Sequence, residues 1–250
     1  DITKTLPGIS SQLGVLVRTN SEAIVGVVES DINSDLTYGT AISSEFYPDE
    51  FTHVTQNRFS EGYDFMKWYF GPLVNDNNPV RRSIRTILKY IYQPAKSWVS
   101  VRGGNFYKRF TALTVMQNLD NRIAFEYGRS PLALFGHRLK SKKINGKEAP
   151  SNLPVANKTA EVLATVSGGT PVNFLTESVA GISTTAHILG GCHMGESGKN
   201  GVINTNHEVF GYPGLFVIDG ASISANVGVN PSLTICALAE RAISKVNKKK

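Results

Sequence analysis

The sequence predicts an α+β fold: a body of antiparallel or mixed sheet with helices, followed by a strand–loop–helix of the kind that completes a doubly wound domain. Three observations lead there. Runs alternating apolar and polar residues are grouped beside helical runs, without a regular strand–helix–strand alternation. The end departs from this, with a short apolar run at 214–218, a glycine-rich crossing and a helical run at 232–247. No internal repeat or low-complexity tract points to a solenoid or a disordered chain.

The elements follow in order. Residues 9–28 read as an amphipathic helix with a β-branched end, from the spacing of Leu13, Leu16, Val17, Ile24, Val27 and Val28. Residues 38–59 alternate apolar and polar side chains (Ala41, Ile42, Phe46, Tyr47, Val54) and predict two strands joined at Pro48-Asp49. Residues 65–73 predict a short aromatic helix whose Phe65, Trp68, Tyr69 and Phe70 either pack as core or line an apolar cavity. A longer helix spans 79–92, with Pro79 suited to its first turn and Ile84, Ile87, Leu88 and Ile91 at helical spacing. Residues 110–117 and 122–127 read as a hairpin closed by Asn118-Leu119-Asp120-Asn121. The basic, Gly/Pro-punctuated stretch 138–152 is a surface loop or ragged strand pair. A helix over 157–167 stops at Gly168-Gly169. The last helix buries Leu233, Cys236, Ala239, Ala242, Ile243 and Val246.

Composition narrows the function. With 250 residues, the chain can bury a full core as one large domain or two small ones. No stretch approaches the roughly 20 apolar residues of a membrane span. The chain begins at Asp1 with no charged region leading into an apolar one, so no signal peptide is visible and localisation stays unknown; that start also fits a chain lacking an upstream part. The net charge of +6 is clumped at 81–85, 138–143 and the C-terminus, without a recognition motif, which argues against a nucleic-acid partner. Cys192 and Cys236 are too few for a disulfide framework and read as small buried hydrophobes.

Chemistry-bearing residues concentrate in the last third. Asn230-Pro231 predicts a helix start, Asn as N-cap and Pro at N1, whose unpaired first-turn N–H groups suit a developing anion as well as a phosphate; it equally reads as a plain capped helix. Asp219-Gly220 ends an apolar run where an open α/β sheet binds ligands and where a glycine lets backbone approach closely, or is an ordinary turn. His187, beside Leu189-Gly190-Gly191, can offer its imidazole to a cleft as a proton acceptor near neutrality, or simply pack. His187, Cys192 and His193 lack the paired spacing of a zinc site, so no metal is expected.

In this order the pieces resemble the C-terminal signature of the glucose-methanol-choline (GMC) family of FAD oxidoreductases. The matching residues are His187-Ile188-Leu189-Gly190-Gly191-Cys192 with Met194-Gly195, then Gly201-Val202-Ile203, then Val209-Phe210-Gly211-Tyr212-Pro213-Gly214 through Phe216-Val217-Ile218-Asp219-Gly220-Ala221-Ser222, and Val229-Asn230-Pro231 through Ala239-Glu240-Arg241. The His-x-Leu-Gly-Gly-Cys form and the Gly-Val-Asn-Pro ending are similar to the cholesterol oxidase branch, as are Ala41 to Asp49 with Thr52-His53, and Met116 to Asn121.

The resemblance implies FAD-dependent oxidation of a secondary alcohol, typically a sterol 3β-hydroxyl, with hydride passing to flavin N5. It implies that His187 orients the hydroxyl and handles its proton, and that Asn230 contacts the substrate and the flavin edge. Asp219, Gly220, Asn230, Pro231 and Ser232 would contact the cofactor, Gly220 near its phosphate–ribityl region and Ser232 against the ring. The resemblance also offers Glu45, or in its place Glu50 or Glu61, as the counterpart of a strand glutamate that moves a proton during steroid isomerisation; read by itself, Glu45 is an ordinary solvated strand residue. Residues 1–180 would be the substrate-binding domain and 181–250 the C-terminal part of the FAD-binding domain. The family holds the ADP part of FAD on an N-terminal Gly-x-Gly-x-x-Gly segment, which neither Gly103-Gly104 nor Gly168-Gly169 fits. The expected partners are therefore that missing N-terminal half and a sterol or other alcohol, with membrane contact only for substrate uptake. Two other readings stand beside this one: a non-catalytic sterol- or lipid-binding remnant, and a GMC dehydrogenase of a different alcohol.

Overall fold

The computed structural model describes residues 5–129, 136–144 and 149–246. In chain order the strands are β1 (Val15–Arg18), β2 (Ala23–Val28), β3 (Ile42–Asp49), β4 (Thr52–Asn57), β5 (Phe70–Pro72), β6 (Phe110–Gln117), β7 (Ile123–Arg129), β8 (His137–Lys143), β9 (Thr170–Phe174) and β10 (Leu189–Gly191). The long helices are α1 (Pro79–Tyr92), α2 (Pro154–Ser167) and α3 (Ser232–Lys245). The strands form two antiparallel sheets, β10-β1-β7-β8 and β3-β4-β6-β2-β9-β5. Among the described residues no helix is long and apolar enough to cross a membrane.

Two compact units interleave along the chain, the first drawn from residues 1–20, 118–149 and 187–250 and the second from 21–117 and 150–186. One cut at residue 180 does not describe them. Strand pairing is the reason: β1 bonds to β10 and β7, which carries the N-terminal residues with the C-terminal third.

In the second unit the six-stranded sheet packs one face on α2. Val25, Val54, Leu113 and Val115 meet Ala156 and Ala160 there, the small helix residues allowing close approach. The other face holds Phe70, Phe106, Phe110 and Val172. Asn78 caps α1 by accepting from Arg81 N–H at 3.0 Å. Gly168 ends α2 in the left-handed conformation at φ 73°, as its position predicts.

Several expectations change. Residues 9–28 form β1 and β2, not a helix. Leu16 and Ser21 lie at positive φ (54° and 46°), which breaks a helix, and Gly26 is wedged where a Cβ would lie 2.4 Å from the Phe110 ring. Pairing of β2 with β6 over six residues overrides the local spacing. The expected aromatic helix is a 3₁₀ stretch, Glu61–Tyr69, leading into β5; Phe65, Trp68 and Tyr69 are exposed while Phe70 is core. β6 and β7 do not pair with each other: β6 lies between β2 and β4, and β7 between β1 and β8. The intended turn is a crossing between units, where the Asn121 amide both accepts from and donates to the Thr19 backbone (3.1 and 2.9 Å). Residues 138–152 contribute β8, paired with β7 along its length; 145–148 lie outside the described residues.

The apolar stripes of two helices are also exposed. Ile84, Ile87, Leu88 and Ile91 of α1 face outward, and its buried residues are Arg82 and Thr86. On α3 only Ala242 is buried, and Leu233 is 83% exposed. Residues 214–218 form no strand. Phe216 makes a single bridge to Glu208, and Val217 N–H bonds to the His207 carbonyl at 3.0 Å, so the segment folds onto a small core of Val202, Ile203 and Val209.

Candidate functional site

The site begins at an irregular strand pair. β10 bonds to β1 through Val15↔Gly191, Val17↔Gly190 and Arg18↔Leu189, with a bulge between Val15 and Val17. Gly190 (φ 76°) and Gly191 (φ 94°) occupy conformations that L side chains rarely adopt, and a Cβ on Gly190 would lie 2.2 Å from the Leu16 carbonyl oxygen. The glycine pair thus permits a close backbone approach and does not act as a flexible joint beside His187. His187 stands two residues before β10, half-buried, at the end of an irregular stretch.

Asp219 has a local role. Its carboxylate accepts from Ala221 N–H at 2.9 Å, and its carbonyl accepts from Ser222 N–H and the Ser222 hydroxyl, building the short turn Gly220–Ser222. Cys192 N–H bonds to the Ala221 carbonyl at 2.9 Å, which ties this turn to β10. Gly220 is squeezed between Leu189 and Ile235, whose side chains a Cβ would meet at 3.2 and 3.5 Å. Burial, and after it the Asp219 carboxylate, push the Cys192 thiol up. Cys236 is exposed, against expectation, because it lies on the uncovered side of α3.

Ile188, residues 190–192 and residues 219–221 line one groove of about 670 Å³, with Gly14, Gly190, Gly191 and Gly220 among apolar residues that include Phe125, Tyr127 and Ile235. Asp219 is the only ionisable carboxylate in its described lining, which holds no Lys or Arg.

The Asn230-Pro231 segment is held from behind. Asn20, fully buried, donates to the Val229 carbonyl at 2.7 Å and accepts from Gly228 N–H at 3.3 Å. Gly228 takes φ 67°, where a Cβ would press on Asn118 at 2.7 Å. Asn230 is not the N-cap. Pro231 occupies that position and α3 begins at the exposed Ser232, because the bend at Pro231 (φ −84°, ψ −1°) delays the first helical residue. No side chain caps this helix start.

Glu45 lies on β3, in the second unit, while His187, Asp219, Gly220, Asn230, Pro231 and Ser232 all belong to the first. Its carboxylate is 63% exposed and sits 3.0 Å from His53 Nε2. The His53 ring stacks on Tyr47 at 4.7 Å. The second unit also has an apolar groove of about 660 Å³, between β3, β4, β6 and α2, lined by Phe46, Leu113, Val155, Val162 and Leu163. Ser44, Phe46 and Pro48 line it, and strand alternation sends Glu45 to the opposite face.

Residues 136–239 match the family model described as GMC oxidoreductase. This region is a GMC oxidoreductase C-terminal domain. The chain is 37% identical over 249 residues to a cholesterol oxidase of Mycobacterium tuberculosis (strain CDC 1551 / Oshkosh), covering 96% of this chain and 42% of that protein. It is 36% identical over 245 residues to a cholesterol oxidase of Acinetobacter baumannii, covering 97% of this chain and 43% of that one. The chain therefore spans about two fifths of the length of the curated relatives it matches. The crystal structure of pyridoxine 4-oxidase from Mesorbium loti superposes with a TM-score of 0.53 at 12% identity, covering 94% of this chain and 44% of that one, a likeness of fold.

Sequence reading passed over Asn20, which holds the segment leading to Asn230, and over Glu22 and Asn121. All three are at most 1% exposed, and Asn20 and Asn121 find partners in Val229 and Thr19, 209 and 102 positions away in sequence. Their one local sign is the polar run Asn20-Ser21-Glu22 interrupting a β-branched stretch.

Proposed function

We propose that this chain supplies the alcohol-holding and proton-handling part of a GMC oxidoreductase acting on a secondary alcohol of the sterol 3β-hydroxyl type. The supporting observation is the glycine-lined groove, in which Ile188, 190–192 and 219–221 meet directly after His187. The two cholesterol oxidases aligned along nearly the whole chain favour a sterol-like substrate.

The groove fits the flat end of FAD and not its diphosphate. Its glycines carry no side chain to keep a planar ring away from backbone, while its described lining has no cation for a pyrophosphate. On this reading the Gly220–Ser222 turn and the Pro231-Ser232 helix start hold the ring and ribityl side, and the nucleotide part is held by a separate N-terminal half. A bound flavin supplies a two-electron acceptor for the carbinol hydride. His187 accepts the hydroxyl proton and fixes the alcohol oxygen. Asn230 provides a neutral amide at the same oxygen, a group that orients without competing for the proton. Glu45, paired with His53, is the proposed proton carrier for isomerisation of a steroid double bond.

His187→Gln in the FAD-loaded protein that carries this chain is expected to lower turnover on the order of 100-fold or more. The chain alone is expected to purify colourless and inactive on sterols, and to gain colour and turnover when the N-terminal half is added. A yellow, active 250-residue chain would overturn the dependence on that half.

A second reading, a sterol- or lipid-binding module without redox chemistry, is favoured by the apolar 660 Å³ groove on the face away from Glu45. Titration with a fluorescent sterol separates the two. Saturable binding with no turnover, even in the FAD-loaded protein, supports the module.

A further inference from the structure

The stretch 181–188 leading to His187 has neither helix nor strand. A proton acceptor carried on such a stretch needs anchors from elsewhere, since a misplacement of about 1 Å costs on the order of 100-fold in rate. Downstream the anchor is the backbone ladder, beginning at Arg18↔Leu189. Upstream, at Ala186, a side chain takes over. The Glu22 carboxylate accepts from Ala186 N–H at 2.6 Å through one oxygen and from the Thr185 hydroxyl at 2.9 Å through the other.

Glu22 is 1% exposed. Burying a carboxylate is costly unless charge-assisted hydrogen bonds offset the lost hydration, and these two bonds do so. Ser21, directly before it, is held at φ 46°, a strain that persists only where the surroundings over-determine it. One more tie lies on the same stretch, where the Thr184 and Thr176 hydroxyls are 3.0 Å apart.

We infer that Glu22 is a positioning residue for His187: its carboxylate clamps the Thr185–Ala186 peptide and so fixes the backbone from which the imidazole projects. Glu22, Thr185 and Ala186 all belong to the second unit, so the clamp is internal to it and ends at the residue before His187. The inference rests on the reading of His187 as proton acceptor.

Two variants test it without emptying the core. Thr185→Val removes one donor and leaves Glu22 in place. Glu22→Gln keeps the shape but sets an amide N–H₂ against one of the two donors. Amide exchange and His187 ring resonances are read by NMR on the 250-residue chain. Turnover is read on the FAD-loaded protein. In Glu22→Gln, the Ala186 amide should exchange about ten times faster or more, and the His187 ring signals should shift toward those of an unstructured histidine. Val25 and Leu189 amides should stay protected, and kcat should fall on the order of 10- to 100-fold with KM held within about twofold. Thr185→Val should show the same pattern, weaker. Unchanged Ala186 exchange and His187 signals in both variants would overturn the inference. So would an equal loss of protection at Val25 and Leu189, which would make Glu22 a general scaffold residue. If the NMR pattern appears but His187→Gln turns over at the wild-type rate, the proton-acceptor reading fails and the clamp remains.

Discussion

Glu177 shows how a single buried group links this fold to pH. It is 3% exposed, and burial, reinforced by the nearby Glu22 carboxylate, pushes its carboxyl up to about 8, against the Ile24 N–H, the Thr184 hydroxyl and the Arg82 guanidinium. The folded chain therefore holds a proton that the unfolded chain releases from its ordinary value of 4.5 upward. The resulting stabilisation is full below that value and is lost as pH rises through about 8. Glu177→Gln keeps a carbonyl acceptor for Ile24 and has no proton to lose. Thermal melts at several pH values should put its Tm about 3 °C or more above wild type at pH 8.5. That gap should narrow by pH 5. A constant gap would mean that Glu177 does not titrate in this window. None of this is visible locally in the sequence, since a glutamate in Leu175-Thr176-Glu177-Ser178 looks like any solvated one. Asp219, by contrast, finds its hydrogen-bond partners in the next three residues, Ala221 and Ser222.

At the level of elements, the β1–β10 pair depends on backbone that no side chain could occupy. Gly190→Ala adds a methyl 2.2 Å from the Leu16 carbonyl oxygen as well as strain at φ 76°, and should cost about 3 kcal/mol or more in urea unfolding. Gly214→Ala is the control: its φ is 83°, but a Cβ there meets nothing within 4 Å, so it should cost only about 1 kcal/mol. Equal costs would mean that conformation alone, not close approach, selects glycine at 190. Elements with strong local punctuation were legible, as at Asn78-Pro79 and Gly168. β1 and β2 were not, because Leu13, Leu16, Val17, Ile24 and Val27 fit a helical stripe as well as they fit strands apolar on both faces. The β6–β7 hairpin failed for another reason: Asn118 to Asn121 has turn chemistry, but Asn121 spends its amide on Thr19, a partner 102 residues away.

On the scale of the whole molecule, exposed apolar side chains gather on regular elements. α1 shows Ile84, Ile87 and Ile91, α2 shows Val162 and Val166, and α3 shows Leu233 and Ile243. Monomeric proteins rarely leave such stripes uncovered. The 250-residue chain should therefore raise the fluorescence of an apolar dye such as ANS while keeping a cooperative unfolding transition. The α+β class was legible from grouped patterns, but the assembly of each unit from separate stretches of chain was not, since in the first unit it rests on pairings such as Val15↔Gly191 that leave no trace in either segment. The path of the chain has one more consequence. It passes between the units at 20/21, 117/118, 149/150 and 186/187, so neither is encoded by one uninterrupted stretch. Recombination with a related gene at a single breakpoint between 28 and 170 would divide the six-stranded sheet between two parents, whereas one at 20/21 or 186/187 would carry that sheet whole and divide the first unit instead.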